Sequence, residues 1–166
     1  RSFFIQTSDG QNKLQFRGYT QFDGRFFVDQ GNVSNTSQFL FRRVRPVLQG
    51  KVLKYFEFKI MPDFGSSTFT LQDAYLDVRY FAAAAPRFGK FKGPVGLERL
   101  QSATALTFID RALPTNLVPN RDLGIDVFGD IWMGFFTYEA GIFDGVPDGG
   151  SNTGDIDSDK DFYGRV

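Results

Sequence analysis

The stretch KLQFRGYTQFDGRFF, residues 13–27, alternates without a break over fifteen positions. Leu14, Phe16, Gly18, Thr20, Phe22, Gly24 and Phe26 fall on one face of an extended chain. Lys13, Gln15, Arg17, Tyr19, Gln21, Asp23 and Arg25 fall on the other. Successive side chains of a strand point to opposite faces, so this pattern predicts a strand with an apolar and a polar side. Strands of globular proteins usually run about 5–6 residues. A tilted strand crossing a bilayer needs about 9–11, with extensions beyond the hydrocarbon.

The same reading extends outward. Residues 29–37, DQGNVSNTS, form a polar turn. Gln38 to Lys51 reads as a second long strand, with Leu40, Arg42, Val44, Pro46, Leu48 and Gly50 on one side and Phe41, Arg43, Arg45, Val47, Gln49 and Lys51 on the other. Pro46 lacks a ladder N–H, which points to a bulge nearby. Further strands are expected over Tyr55–Phe64, Leu71–Phe81 and Arg87–Val95, with Gly65–Thr68 as a loop. The Arg87–Val95 strand sets Lys90 and Lys92 together and Phe91 opposite. Asp122–Asp130 and Ile131–Asp144 form a hairpin whose second strand carries Trp132, Gly134, Phe136 and Tyr138 on one face. Residues 145–161, rich in Gly, Asp and Ser, read as an exposed loop.

One segment breaks the pattern. In residues 96–121, Leu97, Leu100, Ala103, Leu106, Phe108 and Ile109 make a loose helical repeat closed by Pro114 and Pro119. A connection that long between short-linked strands is usually functional. It is expected to fold into the barrel and narrow it.

Composition limits the chemistry. Formal net charge is zero, which argues against a nucleic-acid surface. There is no cysteine and no histidine. Disulfides, thiol nucleophiles, imidazole bases and most zinc sites are therefore excluded, and no cofactor is implied. A catalytic triad would lack its usual base, and no phosphate-cradling glycine loop precedes a helix. The chain holds 21 phenylalanines, yet its mean hydropathy is −0.24. That combination fits strands apolar on one face only. No run of about 18 apolar residues is present to form a membrane helix. Both ends read as cut, as in a piece of a longer chain. A soluble β-sandwich binding module also alternates, but long strands, ionised polar faces and aromatics near strand ends favour an all-β, antiparallel transmembrane barrel.

Several segments carry a resemblance. Phe41-Arg42-Arg43-Val44-Arg45 followed by Gly50 is one, and Phe64 with Leu71-Gln72-Asp73-Ala74-Tyr75-Leu76 is another. The strongest is Gly89-Lys90-Phe91-Lys92-Gly93-Pro94 with Leu97-Glu98, running through Thr107-Phe108-Ile109-Asp110-Arg111 to Arg121-Asp122-Leu123-Gly124. Asp161-Phe162-Tyr163-Gly164-Arg165 looks like a further strand start. In order and spacing these resemble the phosphate-selective porin O and P family. The resemblance implies a sixteen-stranded, homotrimeric barrel in the cell outer membrane of the Gram-negative type, in contact with its lipid, with an inward constriction loop. Residues 1–166 would then be a single partial barrel domain supplying about the first half.

On this reading the candidate anion-binding residues lie on one lumen wall. Arg43 and Arg45 share a face with Lys51 below them, and Arg17 faces the same lumen. Ladders of Arg and Lys attract anions and replace part of their hydration. Arg offers a planar fork to phosphate oxygens, whereas Lys acts as a point charge. The competing reading pairs these cations with Glu57, Asp63, Asp73 and Asp77. Lys90 and Lys92 are placed at the mouth of the insertion, and Arg99 and Arg111 within it, where Glu98 and Asp110 are near enough to neutralise them. Arg121 is expected to anchor the insertion to the wall. Asp155, Asp157 and Asp159 have the 1-3-5 spacing of a calcium loop, but Lys160 replaces the turn glycine and Val166 the bidentate glutamate. The expected partners are small anions such as phosphate. Two alternatives are a general porin and a structural barrel sheathing another protein in its lumen.

Overall fold

The computed structural model describes residues 3–28, 36–65, 69–108, 110–146 and 158–166. Among these residues nine strands form one antiparallel sheet in sequence order: β1 (Phe3–Gln6), β2 (Lys13–Arg25), β3 (Gln38–Val52), β4 (Phe56–Asp63), β5 (Thr70–Val78), β6 (Ala85–Lys92), β7 (Arg121–Ile131), β8 (Phe136–Phe143) and β9 (Asp161–Arg165). Because every neighbour is antiparallel, the β1–β2, β3–β4, β5–β6 and β7–β8 connections lie at one end. The β2–β3, β4–β5, β6–β7 and β8–β9 connections lie at the other, and the three longest are among them. Among the described residues no helix is long and apolar enough to cross a membrane.

The burial is inverted relative to a water-soluble domain. Phe16, Phe22, Phe39, Phe41 and Ile125 are each more than half exposed. Asp63, Asp73, Asp77, Lys90, Asp122 and Asp126 are buried. Few apolar side chains join them; Val47, Met61, Phe91 and Phe143 are among these. A sheet whose apolar face is bare and whose charged face is crowded is the arrangement expected of a barrel wall with an apolar outside and a wet lumen.

Two bulges set which residues face which way. In the β2–β3 ladder Gln21 pairs with Arg43 and Phe22 with Phe41, leaving Arg42 as the extra residue. Beyond that point the faces of β3 exchange. Phe41 therefore lies with Phe22 and Phe39 on the apolar side, their rings 5.4 and 5.6 Å from that of Phe22. Leu40, opposite Asp23, and Arg42 lie on the polar side. This corrects the strict alternation expected for Gln38–Lys51. Pro46 itself stays in register with Gly18, and it lies beyond the last β3–β4 pair, Leu48 with Ile60. The second bulge leaves Gln72 unpaired between Leu71 and Asp73.

The last hairpin turns later than its alternation predicts. β7 continues to Ile131, and Trp132–Phe135 is the turn, so Trp132 and Gly134 are not strand residues. Gly89 has φ +127, and a Cβ there would stand 2.2 Å from the Ala74 carbonyl oxygen. Only glycine allows β5 and β6 to approach at that point.

The connection between β6 and β7 holds a single helical turn, α1 (Leu97–Leu100), and a 3₁₀ turn at Leu113–Leu117. The longer helix expected there does not form. Leu97 and Phe108 are exposed, and Leu100, Ala103 and Leu106 are only half-buried, so the apolar repeat buries too little to hold a longer helix. Ile109, the Gly65–Thr68 loop beyond Gly65, most of residues 29–37, and Asp155 and Asp157 lie outside the described residues.

Candidate functional site

The polar face and the β6–β7 connection enclose a cavity of about 990 Å³. Strands supply Arg17, Arg43, Arg45, Lys59, Arg87, Lys92 and Arg121 to its lining, and the connection supplies Arg99 and Arg111. Its acidic lining residues are Asp73 and Glu139. The chain is neutral overall, so this basic excess is local.

Most of these cations are already engaged. Arg45 donates through Nε to Asp63 at 2.6 Å and through Nη1 to the Tyr19 hydroxyl at 2.9 Å. Lys59 and Arg121 share Asp73, at 2.6 and 2.5 Å. Arg87 forks onto Asp77 at 2.7 and 3.2 Å, with its guanidinium over the rings of Tyr75, Phe91 and Phe128. Stacking and a carboxylate together hold that planar group in place. Arg17 and Arg43 differ: neither has a carboxylate partner among the described residues, and Arg43 donates to the Gln21 amide oxygen. The paired-wall reading thus describes Arg45, and it does not describe Arg17 or Arg43.

The β6–β7 connection is held by charge acting on backbone. Lys92 Nζ donates to the carbonyls of Arg99, Leu100 and Gln101 at 2.5, 3.4 and 3.2 Å. A cation at the carbonyl end of α1 satisfies acceptors that a helix leaves open. Arg111 donates to the carbonyls of Glu98 and Gln101, and Arg99 to that of Thr115. The Glu98 carboxylate accepts from the Thr115 hydroxyl and the Ala112 N–H, which lower its pKa below the usual carboxylate value. Burial, then the nearby Arg99 and Arg121, lower that of Arg111.

Asp110 pairs with Arg42, and that contact depresses the pKa of its carboxyl. Neither Glu98 nor Asp110 therefore makes an ion pair with the arginine expected beside it. The bulge, by sending Arg42 to the polar face, provides the partner instead.

Lys51 is not in the large cavity. It lines a smaller one of about 370 Å³ nearer the short turns, together with Lys13, its cross-strand partner. Lys90 is fully buried and lines neither cavity. Phe91 and Lys92 both line the large one, so alternation fails at the end of β6. The alternation of the sequence gives no site role to Arg42, Lys59 or Arg87. A register placing Arg87 opposite Asp77 was the signal for the last of these. Asp122 accepts from the N–H groups of Gly145 and Val146, tying the start of the final connection to β7. Among the described residues no group of acidic side chains could hold a metal ion.

Methionine at position 92 would keep the length of the side chain and remove its charge. Lys92→Met is expected to free the α1 carbonyls and loosen the connection, read as faster protease cleavage within residues 96–121 of the folded protein. Lys92→Arg should restore resistance. Unchanged cleavage in Lys92→Met would remove this clamp.

The family model for phosphate-selective porin O and P matches residues 13–165. No curated protein matches the chain.

Proposed function

The chain belongs to the phosphate-selective porin O and P family, and on that premise we propose that it lines a passive outer-membrane pore for small anions such as phosphate. The family is one of channels rather than enzymes. The observation that carries the anion reading is the pair Arg17 and Arg43, cationic, cavity-lining and without carboxylate partners among the described residues. Two unit charges 4 Å apart interact by about 4 kcal/mol at an effective dielectric of 20. Part of that offsets the dehydration of the anion, so capture stays weak enough for release.

The β6–β7 connection narrows the lumen beside these two residues. Lys92, Arg99 and Arg111 spend donors on carbonyls, yet their charge still adds to the field. Lys51 extends the basic wall toward the short turns. The bare apolar face contacts outer-membrane lipid or neighbouring protomers in a homotrimer.

The test is a planar-bilayer recording of the full-length protein under a potassium chloride gradient, followed by phosphate titration from one side. An anion-selective reversal potential with phosphate block supports the proposal. Large, unselective conductance assigns a general porin. A folded protein without conductance assigns a barrel that sheathes a partner.

A further inference from the structure

We propose that the β7–β8 turn, Trp132–Phe135, is a lipid-embedded foot, seated in the headgroup–acyl boundary of the leaflet that the short turns face. Two independent observations meet there. The first is exposure: Trp132, Met133 and Phe135 are 76, 104 and 85% exposed, at the tip of a hairpin. The second is backbone conformation. Trp132 and Met133 hold φ of 57 and 56, and Gly134 of 91.

Left-handed residues in a hairpin turn are ordinarily Asn, Asp or Gly, which tolerate that region and face water well. Here two bulky apolar side chains occupy it. Turn propensity therefore does not explain them, and strained positions that persist invite a functional reading.

The occupant follows from what adjoins the turn. Ile131 pairs with Phe136 at the end of the ladder, and both side chains are exposed on the apolar face. The turn continues that face past the last pair without a charged residue of its own. The nearest carboxylate, Asp130, is folded back to accept from the Gly134 N–H at 2.5 Å. The β3–β4 turn at the same end shares the backbone conformation, with φ of 50 and 68 at Leu53 and Lys54, and Leu53 is exposed. A Trp–Met–Phe tip is amphipathic at the indole N–H and apolar elsewhere, which suits a bilayer interface. The inference rests on the membrane-barrel reading and is independent of ion selectivity.

The experiment uses the full-length protein in phosphatidylcholine vesicles with bromine high on the acyl chains. The fluorescence of Trp132 is obtained as the difference between the protein and Trp132→Phe. Loss of most of that signal, with a blue-shifted maximum and little quenching by aqueous acrylamide, is the expected result. Acrylamide quenching with no effect of bromine overturns the proposal and leaves the tip in water, open to a water-borne partner. Quenching by neither also overturns it, because protein then covers the tip.

A nitroxide on Met133→Cys gives a second reading that does not depend on the indole. More frequent collision with oxygen than with a nickel chelate supports insertion, and the reverse refutes it. Channel activity with a tip in water sinks the foot alone. Bromine quenching without conductance sinks the pore alone.

Discussion

Alanine at both position 17 and position 43 is expected to lower the anion-to-cation permeability ratio by about tenfold, equivalent to about 1.4 kcal/mol. That is a fraction of the roughly 4 kcal/mol available to a close pair at intermediate dielectric. The shortfall reflects the other cations of the cavity, which remain. Phosphate block should weaken in parallel. Arg43→Lys separates two contributions, since lysine keeps the charge and loses the fork. It should hold the reversal potential near that of the unchanged protein while losing phosphate block. A double alanine variant with an unaltered reversal potential would take both residues out of the mechanism.

Asp73→Ala is the second large effect. Its carboxylate is the shared acceptor of Lys59 and Arg121, and its side chain is only 7% exposed. Removing one member of a buried charge cluster costs about 3–5 kcal/mol, because the partners stay behind uncompensated. The temperature at which the folded band gives way to the unfolded band on a gel should fall clearly. Arg121 is the first residue of β7, so the same change frees the end of the β6–β7 connection, and open-channel current should fluctuate more. Asp73→Asn keeps an acceptor and should lie between. A transition temperature that stays put in Asp73→Ala would mean the cluster is solvated and dispensable.

The alternation of Lys13–Phe27 was sufficient to place the sheet and its two faces, because a period of two survives in any uninterrupted strand. It failed wherever one residue was inserted. Nothing in Phe41-Arg42-Arg43 marks the middle residue as a bulge, since the choice is made by the facing strand, where Gln21 and Phe22 bind Arg43 and Phe41. The error was one residue long, yet it put Arg42 on the apolar face and Phe41 on the polar one.

The insertion was legible as an exception and illegible in its shape. Lys92, Arg99 and Arg111 act on carbonyl oxygens. Every residue but its neighbours offers the same acceptor, so no pattern of side chains records the choice. Carboxylate partners were easier to foresee: Asp63, Asp73 and Asp77 do take cations of the same wall. Foreseeing which arginines would be left over required the register.

A loop docked by cations on carbonyls and by the Arg42–Asp110 pair has little apolar area to hold it. Its attachment should therefore respond in part to ionic strength. The Debye length is about 10 Å in 0.1 M salt and about 3 Å in 1 M salt. Asp110, with a side chain 71% exposed, feels that change fully, whereas the half-buried Lys92 is shielded from it. The loop should slacken first at its Asp110 end as salt rises. The aperture would then answer to the electrolyte as much as to the fold, and the bore in concentrated salt should exceed the bore in dilute salt.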